Sequence, residues 1–442
     1  MLSPVVESGL FGALFLLLFV LGLTNVRAFV WLAAFLTPLM TPRLTLAIGI
    51  DWHKVVGPLA LLLAVLARRP RLELPELRSL KLWLLYASVV SVVWMFAEYT
   101  VLHRYWLAEA MGLGAAQSVY KMPVQLGTFA LVVASAWLVP RSGVAHANAA
   151  SDGLIWGCVA SIAFGLVLVA VTGRGMLSQN EMQGIIEVGT VTVGRIGGLS
   201  GEPKMLGAVL VVTNLFLLCK IVFGPKYSRK QLVLLATCTV GLYATYSTSA
   251  WVAFALGVAV LGYTSLRELR SSRWHRFAAI ALLGVAGALS TPTFRDAVEE
   301  RLAGRLTGRT SEVERQKDNF LWPVLERDPI HGIWGFGFGG TDLEVIPFVP
   351  ATERAYRRTP TAAVTGMRFL GDTGVLGVLG FLAVLWYWSR SMRARGSTDG
   401  AAFVLVGGIA TMSCSINALP CFLVLAGAES AASTLKAKDA YG

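Results

Sequence analysis

Long apolar runs recur along almost the whole chain and are separated by short polar segments. Three of these runs are 10-GLFGALFLLLFVLGL-24, 154-LIWGCVASIAFGLVLVAV-171 and 206-LGAVLVVTNLFLLC-219. Each is long enough, or nearly so, to cross about 30 Å of hydrocarbon as a helix. The pattern predicts an all-α fold: a polytopic membrane helix bundle of about twelve spans. The predicted spans include 124–140, 205–223 and 277–294, and the C-terminal region forms either one span at 402–426 or two short segments around Asn417 and Pro420. We expect one integral membrane domain over residues 1–442.

Composition and charge agree with a membrane protein. Hydrophobic residues make up 55% of the chain and charged residues only 14%, whereas soluble proteins contain about 25% charged residues. The formal net charge of +12 comes largely from four short basic clusters between spans, which are typical of cytoplasmic loops. We therefore interpret the clusters as topology anchors beside anionic lipid, and nucleic acid is not an expected partner. Their residues are Arg68, Arg69, Arg71, Arg78 and Lys81; Lys220, Lys226, Arg229 and Lys230; Arg267, Arg270, Arg273 and Arg276; and Arg390, Arg393 and Arg395.

Two longer polar segments fall on the opposite, outer side if the basic clusters are cytoplasmic. The first outer loop is predicted at 173–204, and a long outer loop is predicted at 295–365. The long loop contains two predicted amphipathic helices, 295–306 and 311–326, and Leu321 and Val324 belong to the apolar face of the second. Long structured loops in compact proteins are usually functional.

Three charged residues stand directly before an apolar run in 195-RIGGLSGEPKMLG-207. Arg195 and Lys204 are two cations around one carboxylate, Glu202, at the predicted N-terminus of a helix. Such a site suits a phosphate group, because the helix dipole favours anions there and arginine binds phosphate oxygens bidentately. The alternative is a salt-bridged turn that merely ends the loop. A lipid diphosphate would fit, since its tail stays in hydrocarbon and its head lies at the level of the loop.

Glycosyl transfer from a lipid diphosphate requires a stabilised leaving group and a deprotonated acceptor hydroxyl. The chain contains no Asp-x-Asp motif, so we predict that Arg and Lys replace a metal ion and that no cofactor is needed. Glu202 and His331 are the candidate catalytic bases. Equally, Glu202 could be the structural partner of Arg195, and a lone loop histidine such as His331 is more often a turn residue.

Two further arginines are candidate substrate-binding residues. Arg315 lies in the predicted second amphipathic helix, and Arg368 lies at the head of the next span, where it could simply pair with Asp372 four residues later. The same span has glycines every third residue, at Gly371, Gly374, Gly377 and Gly380. That spacing predicts close helix packing.

Four segments resemble, in the same order, the O-antigen polymerase and O-antigen ligase family of bacteria. They are 195-RIGGLSGEPKMLG-207, 235-LATCTVGLYATYSTSAWVAFALGVAVL-261, 309-RTSEVERQKDNFLWPVLERDPIHGIWGFGFGG-340 and 368-RFLGDTGVLGVLGFL-382. Together they cover roughly residues 190–390. The resemblance implies a lipid-dependent (GT-C-like) glycosyltransferase architecture with metal-independent, inverting chemistry.

The implied reaction is the polymerisation of undecaprenyl-diphosphate-linked repeat units at the periplasmic face of the bacterial inner membrane. Arg195 matches the arginine that the family places at the donor diphosphate, and Glu202-Pro203 matches a Glu-Pro variant associated with polymerases. The expected partners are the lipid-linked glycan donor and acceptor, membrane lipid, a chain-length regulator and a flippase. The product is O-antigen, capsule or exopolysaccharide.

Two departures from the family pattern distinguish this chain from the ligases. Ligases carry Ser-Arg where this chain has Ser247-Thr248, and His-Asn where it has Ala363-Val364. These differences favour a polymerase over a ligase, which remains the alternative within the family. An alternative of another class is a lipid-linked oligosaccharide transporter. Transporters usually show internal repeats, and we find none in this sequence.

Overall fold

The structure of the chain is a computed structural model. It describes residues 4–39, 52–66, 74–97, 133, 143–173, 175–176, 185–188, 191–224, 227–268, 321–338, 340–344 and 364–441. The predicted spans at 277–294 and, except for residue 133, at 124–140 lie outside these ranges. The predicted amphipathic helix at 295–306 does as well.

The described residues are mostly helical. The helices are α1 (Pro4–Thr24), α2 (Val26–Leu36), α3 (Trp52–Leu66), α4 (Glu76–Phe96), α5 (Val144–Thr172), α6 (Pro203–Phe223), α7 (Arg229–Ala244), α8 (Thr248–Glu268), α9 (Leu321–Arg327), α10 (Pro329–Trp334), α11 (Gly340–Glu344), α12 (Thr365–Ala394), α13 (Thr398–Met412) and α14 (Ala418–Tyr441). The strands are β1 (Gly175–Met176), β2 (Ile185–Val188), β3 (Val191–Gly194) and β4 (Ile196–Gly198).

Six helices in the described ranges are long and apolar enough to cross a membrane. Three more are apolar but shorter, at Val26–Leu36, Thr248–Thr264 and Thr398–Met412. The chain is therefore a membrane protein of helical architecture, and the full number of twelve spans remains a prediction. The six spans are Val5–Thr24, Glu76–Trp94, Val144–Thr172, Pro203–Phe223, Thr365–Ala394 and Ala418–Lys438.

The first of two compact units comprises Met1–Leu74, Val132–Thr307 and Trp388–Gly442. Its central element is α6, whose apolar window is 94% buried inside the protein. This helix packs against α7, α8, α13 and α14, while α5 packs against α2 and α14. A helix surrounded by other helices needs no polar face, and α6 accordingly carries apolar residues all round.

Two small sheets interrupt the helical pattern inside the predicted first outer loop. Strand β1 pairs in parallel with β4, and β2 pairs antiparallel with β3 from Ile185↔Gly194 to Val188↔Val191. The all-α prediction is wrong for these short segments. The missed signal is two β-branched runs separated by only Gly189 and Thr190, a spacing typical of a hairpin.

The second unit comprises Pro75–Leu131 and Gly308–Tyr387. The first part of α12 lies along α4 in this unit, because Trp83 Nε1 donates to the carbonyl of Gly377 at 2.7 Å. Gly377 and Gly380 of α12 lie against the aromatic side chains of Tyr86 and Trp83, and Gly371 and Gly374 lie against Thr341 and the backbone of Ile333. These contacts confirm that the glycines serve close packing. The predicted apolar face of the second amphipathic helix is confirmed where it is described, since Leu321 and Val324 are buried.

Candidate functional site

The segment from residue 194 to residue 204, here called the glycine loop, is fixed against neighbouring elements of the first unit. Ser200 Oγ donates to the carbonyl of Pro38 at 2.8 Å and lies 3.1 Å from Ser161 Oγ. Gly198 has a left-handed φ of 53°, and a Cβ at this position would overlap the carbonyl oxygen of Ser161. Only glycine allows this close approach, so the loop has a defined conformation before α6 begins.

Arg195 reaches from the glycine loop to the turn between α7 and α8. Its Nε donates to the carbonyl of Thr245 at 3.1 Å, and its Nη2 lies 3.4 Å from the carbonyl oxygen of Tyr246. Tyr246 is the one non-glycine residue with positive φ (47°) in the described part of the chain. Burial raises the pKa of the Tyr246 hydroxyl. The carbonyls of Thr245 and Tyr246 together hold the half-buried guanidinium of Arg195 in one orientation.

The other two candidates of the loop stand at the start of α6. Glu202 is the N-cap residue in an extended conformation, and its side chain makes no capping hydrogen bond. Pro203 occupies the first helical position, as expected from the sequence. Glu202 and Lys204 are both half-buried. The structure therefore brings Arg195, Glu202 and Lys204 to the same end of α6, where the helix dipole favours an anion.

His331 lies in the second unit, within an aromatic setting. Its ring stacks on Phe336 at 4.5 Å with an interplanar angle of 8°, and the ring of Trp94 meets it edge-on at 4.0 Å. Its Nδ1 is 2.9 Å from Asp328 Oδ2, an ion-pair distance without the alignment of a hydrogen bond. Only 14% of the side chain is exposed. Sequence reasoning did not identify Asp328 or either aromatic ring as a neighbour.

Arg368 also lies in the second unit, and its expected pairing is confirmed. Its Nε is 3.4 Å from Oδ2 of Asp372, whose side chain is almost completely buried. The other carboxylate oxygen of Asp372 accepts a 2.7 Å hydrogen bond from Thr341 Oγ1. The role of Arg368 in substrate binding stays a prediction, and Arg315 lies outside the described residues.

A charged cluster that the sequence did not predict lies at the opposite end of α6 from the glycine loop. The ammonium of Lys220 is 2.8 Å from Asp399 Oδ2 and 2.5 Å from Glu429 Oε2. Lys220 belongs to one of the basic clusters interpreted as topology anchors, and the cytoplasmic position of that cluster stays a prediction. Its ammonium pairs with carboxylates inside the protein and joins α6 to α13 and α14.

The comparisons add no relative from which a role could be carried over. No family model matches the chain, and no curated protein matches it significantly. Within the described ranges, no group of three or more His, Cys, Asp or Glu residues is placed to hold a metal ion. The candidate residues therefore form two groups, each described within its own unit: the glycine loop of the first unit and the Asp328–His331 pair of the second.

Proposed function

We propose that this chain is a membrane glycosyltransferase that polymerises undecaprenyl-diphosphate-linked repeat units at the outer face of the bacterial inner membrane. The observation that carries the proposal is the fixed guanidinium of Arg195 at the N-terminal end of a membrane-embedded helix, α6. A charge at such a place is costly unless it is paired or functional. A lipid-linked anion suits the N-terminal end of α6, because its tail stays in the bilayer while its charged head reaches Arg195.

The donor diphosphate binds at the glycine loop. Arg195 and Lys204 supply the positive charge, and the N-terminal end of the α6 dipole also favours an anion at this place. Because the Thr245 and Tyr246 carbonyls already orient the guanidinium, little reorganisation is needed when charge develops on the leaving group. The sequence makes Arg315 and Arg368 further candidates for binding an anionic substrate.

The reaction is a displacement at the anomeric carbon of the donor sugar. An acceptor hydroxyl of a second lipid-linked glycan attacks, the bond from the anomeric carbon to the diphosphate oxygen breaks, and the configuration inverts. The diphosphate leaves with the electron pair, and its negative charge is stabilised by Arg195 and Lys204 in place of a metal ion. A general base removes the proton of the attacking hydroxyl.

Two residues are candidates for that base. Glu202 adjoins the proposed diphosphate site in sequence, and its carboxylate is not used to cap α6. His331 is held between Trp94 and Phe336, with Asp328 close to Nδ1, which resembles the carboxylate–imidazole pairs of other enzymes. Comparison of Glu202→Gln with His331→Ala assigns the role, because only the base variant should lose turnover while donor binding is retained.

The proposal is tested with detergent-purified protein and a lipid-linked oligosaccharide, with no bilayer present. We expect lengthening of the lipid-linked glycan. A transporter has no activity under these conditions, so absence of lengthening by folded protein would contradict the proposal. A deletion strain distinguishes polymerase from ligase: loss of a polymerase leaves single repeat units, whereas loss of a ligase leaves long unattached chains.

A further inference from the structure

The carbonyl of Trp334, at the end of the short helix α10, lies at the level of the middle of a membrane span. Tyr86 Oη donates to the carbonyl of Thr373 at 2.9 Å and lies 3.3 Å from the carbonyl oxygen of Trp334, so that its single proton is shared between the two acceptors. Tyr86 stands ten residues from each end of α4, which is about 15 Å along a helix. The end of α10 is therefore placed well inside the span rather than at its rim.

The residues that follow α10 run along the same half of α4 towards its C-terminal end. The backbone N–H of Phe338 donates to Ser91 Oγ at 2.9 Å. The ring of Phe336 packs edge-on against Trp94 with centroids 5.4 Å apart. These contacts lie one to two helical turns beyond Tyr86. The segment thus enters beside the span instead of crossing over its end.

The backbone of this segment is satisfied by a break in α12. Gly374 has φ 67° and ψ −177°, which interrupts the helix. The N–H groups of Phe336 and Gly337 donate, each at 2.8 Å, to the carbonyls of Gly371 and Asp372 that precede the break. Irregular backbone is tolerated at membrane depth only where protein buries it. Residues 335–338 are all buried, so this condition is met.

The outward face of α10 is apolar. Ile330, Ile333 and Trp334 are 60%, 48% and 51% exposed. The neighbouring span α4 has its own row of exposed apolar residues, which includes Leu82, Leu85, Val89, Val92 and Val93. Because α10 ends at the depth of Tyr86, its exposed apolar face lies at the same membrane depth as the exposed apolar residues of α4. Exposure of these side chains to water would cost about 25 cal/mol per Å² of apolar surface.

We propose that residues 329–338 form a re-entrant segment whose residues Ile330, Ile333 and Trp334 contact the acyl chains of the bilayer. The polar residues Glu326 and Asp328, which precede α10, mark the end of the segment nearest to water. The proposal concerns the surface that the protein presents to lipid, and it does not depend on the proposed activity.

Spin-label accessibility in nanodiscs tests this proposal on the full-length chain. Nitroxides are attached at Ile330→Cys, Ile333→Cys, Val89→Cys as the lipid-facing reference, and Glu326→Cys as the aqueous reference. All four positions are exposed, and the parent protein measures any labelling of the five buried native cysteines. Collision rates with oxygen, which partitions into lipid, are compared with those of a water-soluble nickel chelate.

We expect the ratio of oxygen to nickel accessibility at positions 330 and 333 to match position 89. It should exceed the ratio at position 326 several-fold. Nickel accessibility at 330 and 333 as high as at 326 would overturn the proposal. A nickel-rich result at 89 would overturn it too, because α4 would then not provide the membrane depth on which the inference rests.

Discussion

Arg195 Nη2 lies 3.4 Å from the carbonyl oxygen of Tyr246, the residue that adopts a left-handed conformation at the turn between α7 and α8. Non-glycine residues in this conformation cost of order 1 kcal/mol, and such strain is concentrated at functional sites. Gly207 of α6 packs against the same turn, because a Cβ at this position would be only 3.2 Å from the side chains of Ser247 and Thr245. The glycine loop and the turn between α7 and α8, which are far apart in sequence, therefore meet at Arg195.

The break in α12 should depend on Gly374. Gly374→Ala places a Cβ against the carbonyl of Ile333 in a backbone conformation that side chains rarely adopt. We expect the free energy of unfolding, measured by titration with sodium dodecyl sulfate, to fall by about 3 kcal/mol or more. Gly396→Ala is the matched control, since Gly396 also has a positive φ (80°) but open space around it. Its cost should be about 1 kcal/mol, and equal costs would contradict the account.

The Lys220 cluster should contribute far more to stability than a surface ion pair. Lys220→Met leaves Asp399 and Glu429 without their cation, and we expect a loss of about 3 kcal/mol. Adding Glu429→Gln should recover part of this loss, because one of the two uncompensated carboxylates is then removed. Melting in detergent provides the measurement.

Lys230→Met is the control for that substitution. Lys230 pairs with Asp152 at 3.5 Å, but both side chains are about half exposed. Exposed ion pairs contribute less than about 1 kcal/mol, so this variant should melt within a degree or two of the parent. Equal melting temperatures of Lys220→Met and Lys230→Met would show that the Lys220 cluster contributes no more than an exposed ion pair.

If His331 is the general base, Asp328 positions it. Asp328→Asn should then lower kcat by about tenfold or more while KM for the lipid-linked acceptor changes little. Asp328→Glu should restore part of the rate, since a carboxylate is again near Nδ1. Asp152→Asn, on an exposed side chain, serves as the control. An unchanged kcat in Asp328→Asn would assign the pair a structural role and leave Glu202 as the candidate base.

Sequence patterns predicted the elements whose signals are local. The span predicted at 205–223 is observed at Pro203–Phe223, because Pro203 favours the first helical position and the apolar run ends at Gly224. The C-terminal region was predicted as one span or as two segments around Asn417 and Pro420, and it forms α13 and α14. Pattern reasoning succeeds here because a buried helix needs little beyond a long apolar run.

The contacts that define the candidate site have no such local signal. Arg195 binds backbone carbonyls some 50 residues away, and any residue type supplies a carbonyl. Lys220 finds its acidic partners 179 and 209 residues later in the chain. Glycine spacing in α12 predicted packing, but the break at Gly374 depends on an insertion of residues 335–337 that periodicity does not encode. These features are set by tertiary contacts alone.

The most direct test of the central claim is the rate at which purified protein lengthens a lipid-linked oligosaccharide in excess EDTA, compared between the parent and Arg195→Lys. Lysine keeps the charge but loses the planar fork that contacts both the turn and the diphosphate. Donor concentration is held saturating, and only samples with matched melting behaviour are compared. We expect the parent to remain active in EDTA and Arg195→Lys to be at least about tenfold slower. Loss of the parent's activity in EDTA, or full activity of Arg195→Lys, would contradict the account.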